Sequence, residues 1–387
     1  MGIAEDALEL HKGGKLSVAS KVELSKEALS LAYTPGVAEV CRRIFENPDD
    51  VFNYTIKKNS VAVVSDGSAV LGMGNIGAEA AMPVMEGKCV LLKELVDVNA
   101  FPLCLRTQNP EEIIAVVRNI APVFGGINLE DIAAPKCFSV EENLQDIGIP
   151  VIHDDQHASA IAIAAGMLNA SSLVGKDIDE LRIVVNGAGA AGLATAKFLL
   201  KSYHPEELIM CDSKGTIYKG RNDLKENKYK EEISLMTNGG GVSGGLADAM
   251  KHADAFVGLS RGNIVTKEMI RSMNRDSIIF AMANPVPEIY PGDAKEAGAA
   301  IVATGRSDFP NQVNNSLVFP GVFRGALDAR AAAMNYEMKT AAVKALAGSI
   351  EPEEDNILPS TLDKSAHANV ARAVEKAAKA SGAVRKR

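Results

Sequence analysis

Apolar and polar positions change texture partway along the 387 residues. Residues 1–155 carry short apolar runs interrupted by turns, among them Thr34-Pro35-Gly36, Asn47-Pro48, Asp66-Gly67 and Gly125-Gly126. From 156 to about 320 strand-like and helix-like runs alternate: 181–185, 193–203, 208–212, 246–252, 255–259, 277–282 and 299–304. Strands that alternate with helices predict a parallel, doubly wound sheet. The stretch 238–245, NGGGVSGG, predicts a loop within that half. Beyond Gly321 the chain is alanine-rich and predicts helices that pack back on the body. The expectation is an α/β protein with an N-terminal α/β domain at 1–155, a sheet domain at 156–325 and C-terminal helices at 326–387.

One segment assigns chemistry to the sheet domain. RIVVNGAGAAG (182–192) is a β-branched strand leading into glycines and then a helical run. Gly187 permits the turn, Gly189 lets a pyrophosphate approach the backbone, and Gly192 lets helix and strand pack closely. With Ala188, Ala190 and Ala191 they form a turn whose N–H groups and helix dipole hold an anion. Asp212 ends the run ELIMCD twenty residues past Gly192, where an acid binds a ribose hydroxyl. Together these predict a Rossmann-type site for NAD or NADP, against a plain strand–helix turn. Asp212 disfavours a 2′-phosphate, but Ser213 and Lys214 follow it and a lysine can pair with one, so both cofactors stand. A second glycine triplet, Gly72, Gly74 and Gly77, even has Asp97 twenty residues on. Little strand precedes it, and the helix after it should be interrupted at Pro83 and end at Gly87. It reads as a structural or substrate-side turn.

Composition narrows the class. The net charge of −8 argues against a nucleic-acid surface. The terminal Arg385-Lys386-Arg387 reads as a solvated helix end. Five scattered cysteines without a CxxC pair suggest reduced thiols. The N-terminus shows no signal-peptide pattern, and Ala158–Leu168 is too short to span a bilayer. A cytoplasmic protein with no membrane partner is expected.

Several side chains are candidates for chemistry. Glu130 and Asp131 follow the turn GGIN, and Asp154 and Asp155 close the run IPVIH and open a helix. Ligands of doubly wound sheets bind beyond the carboxyl ends of strands, and three hard oxygen donors suit Mg²⁺ or Mn²⁺. Solvated loop acids and a helix cap explain the same residues equally well. His153 and His157 straddle the helix start, so polar packing is favoured over zinc. Lys88 stands between a glycine and an apolar run, where an amine can lose its proton, although a surface lysine at a strand start is the commoner case. Tyr33 precedes a Pro-Gly turn and by itself reads as packing.

The runs AYTPGVAEVC, LGMGNIGAEAAMPVMEGK, FGGINLEDIAAPKCF, IPVIHDDQHASA, NGAGAAG, ANPVPEI and TGRSDFPNQVNN together resemble the malic enzyme family, in matching order across 32–325. The likeness is nearest to the short prokaryotic forms. It implies NAD(P)-dependent, Mg²⁺- or Mn²⁺-dependent oxidative decarboxylation of L-malate to pyruvate and CO₂ through bound oxaloacetate. The implied metal ligands are Glu130, Asp131 and Asp155. Lys88 is the implied base and Tyr33 the acid, with Asp154 tuning Lys88. Asn284 and Asn315 would contact substrate, and Asn284 also the nicotinamide. Longer relatives grip the substrate carboxylate with an arginine where this chain has Ala69, leaving that clamp open to the LGMGNIG backbone or a partner subunit. The resemblance also implies a homodimer or larger homo-oligomer. A malolactic conversion to lactate and a non-catalytic metabolite sensor are the alternatives.

Overall fold

The structure is a computed structural model and describes residues 3–385. Its first sheet contains β1 (Ser60–Ser65), β2 (Asn99–Cys104), β3 (Gly126–Leu129) and β4 (Val151–His153) in the order β2-β1-β3-β4, all parallel. The second contains β5 (Arg182–Asn186), β6 (Glu207–Asp212), β7 (Gly215–Thr216), β8 (Ala255–Gly258), β9 (Ile278–Ala281) and β10 (Ile301–Thr304). Its order is β10-β9-β8-β5-β6-β7, parallel except for β7, which pairs antiparallel with β6. Strand order reverses beside β1 in one sheet and beside β5 in the other, and each reversal opens a crevice at the carboxyl ends of the strands. The predicted α/β class and doubly wound sheet are present.

The segment around Lys88 differs from expectation. One helix, Gly77–Val96, runs for 20 residues straight through Pro83 and Gly87. Ala81, Met85, Cys89 and Leu92 recur on one face of it and are essentially inaccessible to solvent. Burying that stripe outweighs the one hydrogen bond lost at proline and the entropy cost of glycine. Lys88 is therefore an interior residue of a packed helix and not a residue at the start of a strand.

The C-terminal helices Phe319–Asp328, Tyr336–Ala347 and Lys364–Ala380 pack back on the body. A Cβ on Gly125 would meet Leu327 at 2.5 Å, and one on Gly126 would meet Phe323 at 3.1 Å. The Gly125-Gly126 pair thus admits the first of these helices against β3. Arg385 is not a solvated end: its Nε donates to the Gly148 carbonyl at 3.0 Å and its Nη1 pairs with Asp49 at 3.2 Å. Lys386 and Arg387 lie outside the described residues. The five cysteines are free. Among the described residues, no helix is long and apolar enough to cross a membrane.

Candidate functional site

β3 ends at Leu129 and β4 at His153, so Glu130, Asp131, Asp154 and Asp155 emerge side by side at the carboxyl edge of the first sheet. Lys88 reaches them from the Gly77–Val96 helix. Its Nζ lies 2.5 Å from Asp154 Oδ2 and 3.0 Å from Glu130 Oε1, and 4.6 Å from the centre of the Phe319 ring. Burial alone would push this ammonium down, but Asp154 and Glu130 outweigh it and hold the proton more tightly than in water. Oxygens of Glu130, Asp131 and Asp155 lie within 4.8 Å of one another, and among the described residues this is the one group that could hold a metal ion.

The donor set suits a hard divalent cation. All three contribute oxygen, and Asp131 Oδ2 is buried with no hydrogen-bond partner. Asp131 also adopts a left-handed backbone, φ 53°, which lets its N–H donate to Asp155 Oδ2 at 3.0 Å. Strain of that kind persists where the surroundings impose it. Asn128 Nδ2 orients Glu130 by donating to Oε2 at 2.8 Å. The histidines do not join the group as a soft ligand set. His153 Nε2 lies 3.4 Å from Asp155, while His157 is engaged by Glu141 and Lys339, as polar packing predicts.

The charge balance of this cluster yields a pH prediction. Burial, reinforced by Asp155, pushes the Asp131 carboxyl up to about 7. In the metal-free protein this group binds a proton that the unfolded chain has released. Stability of the metal-free fold is therefore lost as pH rises through about 7. A divalent cation needs the ionised carboxylates, so the rise in Tm caused by Mn²⁺ should be larger at about pH 8 than at about pH 6. Equal Mn²⁺ stabilisation at both values would contradict the assignment.

The glycine turn after β5 behaves as its spacing predicts. Gly187 has φ +123°, and a Cβ there would meet the Leu259 carbonyl oxygen at 2.3 Å. At Gly192 a Cβ would fall 1.7 Å from the Gly187 carbonyl, whereas Gly189 faces open space. Turn, close packing and open approach are thus separated onto three residues. Asp212 closes β6 as expected but is already engaged. Arg221 Nη1 and Nη2 contact its two oxygens at 3.0 and 2.6 Å, and Lys230 Nζ lies 2.8 Å away. Burial opposes ionisation here, yet hydrogen bonds from Arg221 and Lys230 bring the carboxyl down to about 2. Lys214 Nζ turns to Asp223 at 3.0 Å.

The second glycine triplet forms a turn against the other sheet domain. A Cβ on Gly72 would meet Pro285 Cδ at 3.3 Å, so LGMG lies beside the Asn284-Pro285 segment. That segment is anchored by Glu288, a fully buried carboxylate that sequence reading missed. It accepts from Ser260 N at 3.1 Å and Ala283 N at 2.9 Å. A cleft of about 510 Å³ joins Gly72 and Met73 to Asn284, Asn314 and Arg306. Arg306 and Lys136 were also missed. Lys136 pairs with the buried Asp66 at 2.5 Å and steadies the DG turn beside Asp131. Asn315 starts a short 3₁₀ turn that leads to Phe319. Tyr33 is not brought to the cluster. It caps the helix Lys26–Ala32, is 67% exposed, and its hydroxyl has no hydrogen-bond partner among the described residues.

Similarity to known proteins extends over both halves of the chain. Residues 13–113 match the family described as malic enzyme, N-terminal domain, and residues 156–379 match malic enzyme, NAD binding domain. The bifunctional malic/malolactic enzyme of Bacillus subtilis (strain 168) is 53% identical over 100% of this chain and 95% of its own. An NADP-dependent malic enzyme of Rhizobium meliloti (strain 1021) is 48% identical over 89% of this chain and 46% of its own. The crystal structure of an NAD-dependent malic enzyme from Thermotoga maritima superposes with a TM-score of 0.93 at 50% identity, covering 96% of this chain and 99% of that one. With both halves matched, and full-length likeness at this identity, the chain belongs to the malic enzyme family, as an NAD(P)-dependent oxidoreductase.

Proposed function

We propose that this protein oxidises and decarboxylates L-malate to pyruvate and CO₂, with Lys88 and Tyr33 handling the protons. The observation that carries this is the buried Lys88 ammonium held by Glu130 and Asp154 beside the three-carboxylate group. Glu130, Asp131 and Asp155 would hold Mg²⁺ or Mn²⁺, which when bound supplies positive charge for oxygen anions of the substrate. Lys88 first passes a proton to Asp154, to which its Nζ donates, and as the neutral amine then takes the proton of the C2 hydroxyl while the C2 hydride leaves for the nicotinamide. Asp154 orients that amine and holds its proton until turnover ends, when Lys88 is again an ammonium beside a carboxylate. CO₂ then departs from oxaloacetate, the Tyr33 phenol protonates C3 of enolpyruvate, and the proton taken from the C2 hydroxyl returns to the phenolate, so that no net proton is gained or lost. The test is simultaneous measurement of reduced cofactor, pyruvate and lactate from L-malate with Mn²⁺. Pyruvate and reduced cofactor should appear one for one. Lactate without net reduced cofactor would instead favour the malolactic reading, which the name of the Bacillus relative keeps open.

The exposure of Tyr33 has a consistent explanation in a second copy of the chain. The helices Ile3–Leu10, Lys26–Ala32 and Val37–Glu46 bury no residue at all, and Leu24, Leu31 and Phe45 are exposed alongside Tyr33. An apolar arm of this size marks an interaction surface, and two-fold exchange of arms would give each site a tyrosine from its partner.

Two further assignments follow. Asp212 is neutralised by Arg221 and Lys230, so it does not repel a 2′-phosphate as a bare carboxylate would, and both nicotinamide cofactors are accepted. Arg221→Gln should lower kcat/KM for NADP relative to NAD by about tenfold; an unchanged ratio of the two would refute this role. Arg306 supplies the guanidinium that Ala69 does not. It now contacts Asp308 at 2.6 Å and the Pro285 carbonyl at 2.5 Å, in the cleft that contains Asn284. Arg306→Gln should raise the malate KM by about tenfold or more with a smaller change in kcat. An unaltered KM would return the carboxylate clamp to the LGMG backbone.

A further inference from the structure

Away from the cluster, five helices enclose a cleft of about 320 Å³. It includes none of Lys88, Glu130, Asp131, Asp155 or the glycine turn. Its walls are two aromatic pairs. Phe138 and Tyr229 have ring centres 4.3 Å apart, and Phe198 and Tyr336 have ring centres 5.6 Å apart. Three lysines line the same space, and their partners differ. Lys197 pairs with Glu232 at 2.8 Å. Lys201 lies 3.9 Å from the centre of the Tyr336 ring and has no carboxylate partner among the described residues.

Lys339 is the most constrained. Its Nζ lies 2.9 Å from His157 Nδ1, and the opposite nitrogen, Nε2, lies 2.7 Å from Glu141 Oε1. An ammonium only donates, so Nδ1 accepts and Nε2 carries the proton given to Glu141. His157 is therefore a neutral imidazole. Two of the three Lys339 N–H donors have no protein acceptor among the described residues. Burial lowers the Lys339 ammonium, Glu141 offsets part of that, and Lys201 adds repulsion, so two like charges stand near each other beside the aromatic pairs. Glu141 and Glu142 also line the cleft, but Glu141 is hydrogen-bonded to His157 and Gln156 and Glu142 accepts from Tyr229, so neither bonds Lys201 or Lys339 directly.

We infer that this cleft binds a small organic anion, with a flat apolar body between the aromatic pairs and one phosphate or carboxylate on Lys201 and Lys339. Rings gain stacking area and cation–π contact there, and the anion relieves the repulsion between the two ammoniums. His157 stands on the same helix as Asp155, two residues further on, so the ligand would sit against the element that carries the acid cluster. The inference is independent of the reaction assigned above, because its readout is binding.

The test is equilibrium binding to the whole protein, saturated with NAD⁺ so that the cofactor site is filled. Phenyl phosphate, benzoate and inorganic phosphate serve as probes. Phenyl phosphate or benzoate should bind at one per chain, and whichever binds more tightly identifies the head group. Inorganic phosphate, lacking the ring, should bind at least about tenfold more weakly than phenyl phosphate. Lys201→Ala removes an exposed cation, and Ala194→Phe fills the cleft from the Ala190–Tyr203 helix. Each should weaken binding by about tenfold or more while leaving the thermal midpoint and malate turnover in place. Failure of both ring-bearing probes to bind, or binding that neither variant alters, would overturn the proposal.

Discussion

Lys88→Ala should lower kcat for malate oxidation by about 10²–10⁴-fold, the contribution expected of one positioned acid–base group. The effect belongs in kcat because the ammonium touches Asp154 and Glu130 and not the nucleotide turn. NAD(P) affinity should stay close to that of the wild type. The same substitution removes the one cation among four neighbouring acids, so divalent metal should bind at least as tightly as before. This separates loss of a proton carrier from collapse of the site. Lys88→Arg keeps the charge but holds its proton permanently, so it should restore the metal-free stability and not the rate. A Lys88→Ala enzyme with near-wild-type kcat would remove the residue from the chemistry. Parallel losses of kcat and metal affinity would make it a structural partner of the carboxylates.

The dinucleotide half was legible because its signals are local. The strand, the three glycines and the acid at the end of β6 fall within about thirty residues, and their spacing reports backbone geometry directly. The doubly wound sheet followed from alternation alone. The reaction site was legible only as parts. Glu130 and Asp155 stand at strand ends that sequence can place, but their meeting requires β3 and β4 to be neighbours, which no local pattern specifies. Lys88 was misplaced because Pro83 and Gly87 are local helix breakers, whereas the buried stripe Ala81–Met85–Cys89–Leu92 is a tertiary fact that overrides them. Arg221 and Lys230 reach Asp212 from a loop and a helix with no periodic signature, so the neutralised acid could not be foreseen. Arg306 was hidden for a different reason: its segment was read for its asparagines, and only the cleft shows which guanidinium faces them.

Tyr33→Phe should also lower kcat by about 10²–10⁴-fold, since it removes the phenolic proton and little else. Because Tyr33 is 67% exposed and its hydroxyl has no hydrogen-bond partner among the described residues, the phenylalanine protein should fold and associate as the wild type does. The loss should fall on pyruvate formation more than on reduction of the cofactor, because protonation of C3 follows hydride transfer. A burst of reduced cofactor and CO₂ that runs ahead of pyruvate, with enolpyruvate as the stalled species, would be its signature.

The most direct test of a site assembled from two chains is a heterodimer of Lys88→Ala and Tyr33→Phe subunits, purified through two different affinity tags. Each homodimer carries one lesion in both sites and should be nearly inactive. In the heterodimer one site combines Lys88 of one chain with Tyr33 of the other and is intact, so about half of the wild-type turnover per dimer should return. A heterodimer no more active than the two parents would show that lysine and tyrosine must come from the same chain, and the two-chain site would be wrong.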